Sequence, residues 1–134
     1  TGSPLAAAAD LLVPIGAGEE RSVAATKTCL AAMALCHLLA CLWAGADGSE
    51  RAHIPDMLHR ACETATAGLE PFLASQVPAL VIGRGAGLAI AGEVALKLKE
   101  CCARPAEALS SAELRHGPLA LASRPLAALI LVGG

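Results

Sequence analysis

Aromatic residues are almost missing from this chain of 134 residues, which has no tyrosine, one phenylalanine and one tryptophan. A surface that stacks nucleobases needs such rings, so single-strand nucleic-acid binding is excluded. Charge is sparse too, at 16% of residues, and ten Lys+Arg against twelve Asp+Glu leave a formal charge of -2. No basic excess exists to grip a phosphate backbone, and nucleic acid is not an expected partner. What is not lacking is apolar content: 55% hydrophobic residues rule out a disordered tail. Six cysteines are present, but neither a Cys-x-x-Cys nor a Cys/His spacing of a zinc site, so no metal and no cofactor is expected. Cys29, Cys36 and Cys41 lie in one apolar run, Cys62 stands alone, and Cys101 and Cys102 are adjacent. They are expected to be small buried hydrophobes in a reducing, cytoplasmic compartment. The first ten residues lack the basic start and apolar core of a signal peptide. Between Lys27 and Asp47 no formal charge falls. That length nears the ~20 residues of a membrane span. It is Ala-rich, however, and carries His37 and three cysteines, so a helix buried in a protein core, with His37 packed inside, is expected instead.

Most of the apolar content is Ala and Leu, which favours helices. Residues 11–15 (LLVPI) read as a short strand ending in a loop, and residues 1–4 as a connection from an earlier strand. A helix is expected from about residue 22–24 to residue 44, stopped by Gly45. Residues 45–53 (GADGSERAH) form the one clearly polar stretch and the best boundary, dividing the chain into residues 1–48 and 49–134. Pro55 suits a first helical turn, and Leu58, Ala61, Ala65, Leu69 and Leu73 continue at helical spacing across residues 56–75. Residues 79–82 read as a buried strand, followed by a glycine loop, a helix over 88–102 and Pro105 as its stop. Residues 106–109 and 125–132 read as two further strands, with a helical turn at 111–116 between them. Continuous apolar strands alternating with helices predict an α/β fold, a parallel sheet covered by helices on both faces. So few strands, and a chain that halts at Val132-Gly133-Gly134 where a loop should begin, suggest a sheet incomplete at both ends.

Chemistry concentrates in the last third. In LAIAGEVALKLKE, Glu93, Lys97 and Glu100 recur at i, i+4 and i+7, one narrow stripe on an otherwise apolar helix. As a solvated face this is an ordinary Glu-to-Lys pair; Lys99 falls outside it and reads as a surface charge. The stripe follows the glycine loop GRGAG, and loops at the carboxyl ends of parallel strands are where such sheets bind ligands. GRGAG is neither the dinucleotide fingerprint nor a P-loop, because Leu88 follows Gly87 and no Lys-Ser/Thr comes after. His116 sits in ELRHGP, a tight Gly-Pro turn, as an imidazole suited to proton exchange, while His53 and His59 flank the polar stretch and belong to no diagnostic motif. Two carboxylates, an amine and an imidazole suit proton transfer on a sugar phosphate, with a cation steadying an enediolate.

These motifs have a family likeness. VIGRGAGLAIAGEVALKLKE followed by AEALSSAELRHGPLAL resembles the start of the second sugar-isomerase (SIS) domain of the glutamine–fructose-6-phosphate aminotransferase (isomerising), or glucosamine-6-phosphate synthase, family. GEERSVAATKTCLAAMAL resembles the end of the first SIS domain of that family, and the likeness covers nearly everything but residues 45–75. It implies a three-layer, flavodoxin-type fold, with residues 1–48 closing one SIS domain and 49–134 opening the next. It also implies roles: Glu100 as the base moving a proton between sugar carbons 1 and 2, Lys97 stabilising the charged intermediate, Glu93 binding substrate, and His116 assisting ring opening. Val23 and Thr26 match the loop lining the sugar site, although Ala25 replaces the serine of the family. The family histidine reaches a neighbouring subunit, so a homodimer with a shared site is implied, with a phosphorylated sugar as ligand.

Departures narrow the expectation. The two Ser/Thr-rich phosphate loops, the tail lysine that forms a Schiff base and the glutaminase with its cysteine nucleophile have no counterpart in these residues. The chain is therefore expected to be part of a phosphosugar isomerase, aminotransferase or deaminase, and inactive alone. The rival from another class is a non-catalytic phosphosugar-binding regulator. Such a regulator should have lost some of Glu93, Lys97, Glu100 and His116, and all four are present.

Overall fold

A computed structural model describes residues 2–64 and 68–132. It divides into two compact units, Thr1–His59 and Arg60–Gly134.

The first unit is helical. Ser3 caps α1 (Pro4–Ala8), its hydroxyl accepting the Ala6 N–H at 3.2 Å, with Pro4 preset for the first turn. The connection expected at residues 2–4 thus opens a helix, and Thr1 lies outside the described residues. Residues 11–15 form no strand: they run as irregular, exposed chain, with no neighbouring strand to accept their backbone bonds. Lys27–Trp43 form α2, which begins three to five residues later than expected and closes where Gly45 adopts a positive φ of 88°. Its start is held by Glu20, whose carboxylate accepts the Thr28 N–H (3.0 Å), the Thr28 hydroxyl (3.0 Å) and the Thr26 N–H (3.1 Å). An acid thus supplies the cap that the Thr26 side chain does not. Contrary to expectation, no residue of α2 is buried within this unit, and His37 is exposed, its Nε2 3.7 Å from Cys41 Sγ. The cysteines correct the reading as well: none of the six is in a disulfide, four are exposed and none is buried. A helix apolar on every side buries a face only where another element is packed on it. Ser49–Ala52 make a 3-10 turn, and α3 (Ile54–Thr64) crosses into the second unit.

The second unit holds the sheet. The single helix expected over residues 56–75 is two, α3 and α4 (Glu70–Ala74), with a turn at Gly68-Leu69 before α4; Ala65 lies outside the described residues. Three strands follow, β1 (Ala79–Gly83), β2 (Ala106–Ser110) and β3 (Ala127–Ile130), in the order β2-β1-β3. All pairing is parallel, with Ala79 opposite both Ala106 and Ala127. The central strand is buried along its whole length, as its unbroken apolar run requires. Between β1 and β2 runs α5 (Ala86–Cys102), whose Ala91, Ala95 and Leu98 pack with Ala79 and Val81 as the core. Alanine at these contacts lets helix and sheet approach closely. The described residues thus form an α/β fold with a parallel sheet flanked by helices. After β2 come α6 (Ser111–Leu114) and a 3-10 turn at Pro118–Ser123; Gly133 and Gly134 lie outside the described residues.

Candidate functional site

Helix α5 has two faces of different chemistry. Glu93 lies two residues past the buried Ala91, about 200° round the helix, so the polar stripe is opposite the face that meets the sheet. Along it Lys97 Nζ stands 3.3 Å from Glu93 Oε1 and donates to Glu100 Oε2 at 2.8 Å. The three side chains are partly covered, at 35%, 26% and 28% exposure for Glu93, Lys97 and Glu100. The hydrogen bond that Lys97 donates to Glu100, reinforced by Glu93, raises the Lys97 pKa above its ordinary 10.5. At neutral pH that amine is a fixed cation held between two acids, able to steady developing negative charge but not to act as a nucleophile.

The stripe does not sit at the glycine loop, as the sequence order suggested. Glu93 is seven residues beyond Ala86 and Glu100 fourteen, which at the helical rise is about 10 and 21 Å from the loop. Glu100 therefore lies toward the edge of the sheet where the strands begin. His116 lies at the other edge, just after β2 and α6, with Nδ1 3.0 Å from the Ala112 carbonyl oxygen. Within one chain the histidine and the stripe are not brought together.

The loop positions belong to the first unit. Val23 is 98% exposed, and Thr26 presents its backbone N–H to Glu20. Lys27 donates from Nζ to the Glu19 carbonyl oxygen at 2.6 Å, which closes this loop onto the start of α2. Among the described residues no cluster of His, Cys, Asp or Glu could hold a metal ion.

Sequence reasoning passed over three groups. Glu20 is the cap of α2; six residues separate it from Thr26, too far for the familiar short-range cap signals. Arg104 is 5% exposed, donating from Nε to the Val77 carbonyl (2.7 Å) and from Nη1 to that of Phe72 (2.6 Å), with its guanidinium 4.7 Å from the Phe72 ring centre. No local pattern announces a buried arginine whose partners lie 27 and 32 residues away. Arg84 and Arg115 line a cavity of about 690 Å³ with Ser111, Ala112 and His116. Arg84 lay within a motif read for its glycines.

No family model matches the chain. Over 98% of its length it is 35% identical to a glutamine–fructose-6-phosphate aminotransferase (isomerizing) of Mycolicibacterium smegmatis, covering 23% of that protein. The same-named protein of Pyrobaculum aerophilum is 38% identical over 90% of the chain and 22% of its own length. That of Acidithiobacillus ferridurans is 38% identical over 86% of the chain and 21% of its own length. The chain thus spans under a quarter of the curated relatives it matches.

Proposed function

We propose, for a chain whose sequence is akin to one segment of the glutamine–fructose-6-phosphate aminotransferases, that it supplies the acid–base part of a phosphosugar-converting enzyme. The reaction is aldose–ketose isomerisation coupled to amino transfer or deamination, of the fructose-6-phosphate/glucosamine-6-phosphate type, in the cytoplasm. One observation carries this reading: the Glu93–Lys97–Glu100 stripe is held together by contacts of 3.3 and 2.8 Å with its lysine charged. Residues 1–48 close a first SIS domain and residues 49–134 open a second.

Glu100 takes a proton from one sugar carbon and returns it to the next, which a carboxylate at hydrogen-bond distance can do. The enediolate oxygen that forms is steadied by the Lys97 ammonium. Glu93 accepts a sugar hydroxyl, and Val23 and Thr26 line the sugar. His116 opens the ring, with Nδ1–H donated to Ala112 and Nε2 left to exchange a proton. The family resemblance implies that His116 acts in the site of a second subunit of a homodimer, and its place at the edge of the sheet away from the stripe is compatible with that. The test is turnover of fructose-6-phosphate with ammonia by the full-length protein. Glu100→Gln should lower kcat by roughly 10²–10⁴ with the fold intact. Full turnover by that variant would sink the assignment.

A further inference from the structure

The cavity at the carboxyl ends of β1 and β2 shares no residue with the stripe on α5. Its charged lining is of one sign. Arg84 enters from the loop after β1, while Arg115 and His116 enter from the turn after α6, and adjacent parallel strands bring the two loops side by side because Gly83 pairs with Ser110. Neither arginine has an ion-pair partner among the described residues. The acid nearest in sequence, Glu113, is turned away: its carboxylate accepts the Ser110 N–H at 3.1 Å, completing a capping box. His116 is anchored through Nδ1, which leaves Nε2 for a ligand. Ser111 adds a hydroxyl to the lining.

We propose that Arg84, Arg115 and His116 form a binding site for a phosphate group, free or carried by a small metabolite. A guanidinium fork matches the oxygens of a phosphate in geometry and charge, and two unpaired forks facing one cavity are otherwise left with only water. The volume of about 690 Å³ falls within the range of small-molecule sites. No carboxylate lines the cavity, which disfavours a cation.

Inorganic phosphate titrated into the 134-residue chain at low salt, followed by ³¹P and ¹H–¹⁵N NMR, tests this directly. Saturable binding is expected, with the Arg84 and Arg115 Nε–H signals and the His116 ring shifting together. Arg84→Gln and Arg115→Gln should each weaken binding by roughly tenfold or more, and Arg124→Gln should not. Absence of saturation, unchanged affinity in both variants, or shifts spread over the surface overturns the proposal. Should a variant fail to fold, the shift map of the unaltered chain decides alone. Glucose-6-phosphate binding tighter than phosphate identifies a metabolite as the source, and equal binding identifies free phosphate. His116 is shared with the proposed reaction, but neither readout needs turnover or Glu100, and Arg84→Gln and Arg115→Gln alter residues outside that reaction, so a failure here is distinguishable from a failure there.

Discussion

Lys97 owes its state to two neighbours on its own helix, Glu100 first and Glu93 second. Because its pKa is raised in the folded chain, the stabilisation is complete below the unfolded value of 10.5 and is lost as pH rises through the folded one. An alkaline NMR titration of the Lys97 ε-methylene should therefore place its midpoint above 10.5, and Glu100→Gln should move it down toward that value. A midpoint unmoved by the substitution would remove Glu100 from the stripe. Arg104 is a different kind of residue, a buried cation bridging two backbone carbonyls between α4 and β1. Its Nη2 has no partner among the described residues, so packing and two charge-assisted bonds must outweigh that cost. Arg104→Met strands both carbonyls and should cost about 2–4 kcal/mol in urea unfolding. A loss below ~0.5 kcal/mol, the scale of a surface change, would contradict this account.

Among the elements, the β1–α5 connection shows how backbone room decides sequence. A Cβ at Gly83 would collide with the Gly87 carbonyl group and reach within 2.8 Å of Leu88 N, backbone that cannot yield cheaply. Gly92 meets nothing within 4 Å and lies inside α5. Gly83→Ala should accordingly destabilise the unit by about 1–3 kcal/mol, while Gly92→Ala should stabilise it by about 0.5–1 kcal/mol. Denaturation midpoints moving the same way in both variants would refute the reading of this turn. Helix α2 is the opposite case: Trp43 is 94% exposed, and the apolar content that foretold a buried helix finds no cover in its own unit. Hydropathy records that a segment prefers burial, not which element covers it. No helix among the described residues is long and apolar enough to cross a membrane.

At the scale of the whole molecule, the proposed homodimer has a direct test, because His116 and Glu100 lie at opposite edges of the sheet. If the full-length protein forms the proposed homodimer, Glu100→Gln and His116→Gln should each be strongly impaired on their own. Mixing and reassembling them in equal amounts should restore about a quarter of wild-type turnover, since half the dimers are hybrids with one intact site of two. No recovery on mixing would mean that each chain uses its own histidine.

The α/β class, the three strands of the sheet, the long helix after the glycine loop and the grouping of Glu93, Lys97 and Glu100 were legible in the sequence. Each rests on a periodicity internal to one segment: unbroken apolar runs for β1 and β3, and a spacing of four and three on α5. Tertiary structure decided what depends on partners distant in sequence. Residues 11–15 had the composition of a strand but no neighbouring strand, and the carboxylate of Glu20 came from outside α2 to cap it. Arg104 found its carbonyls some thirty residues upstream. The edge of the sheet that each chemical group occupies, which separates His116 from Glu100 and joins it to Arg84 and Arg115, was fixed only when α5 ran back across a parallel sheet. Local spacing sets which side chains share a face; the chain's return path sets which faces meet.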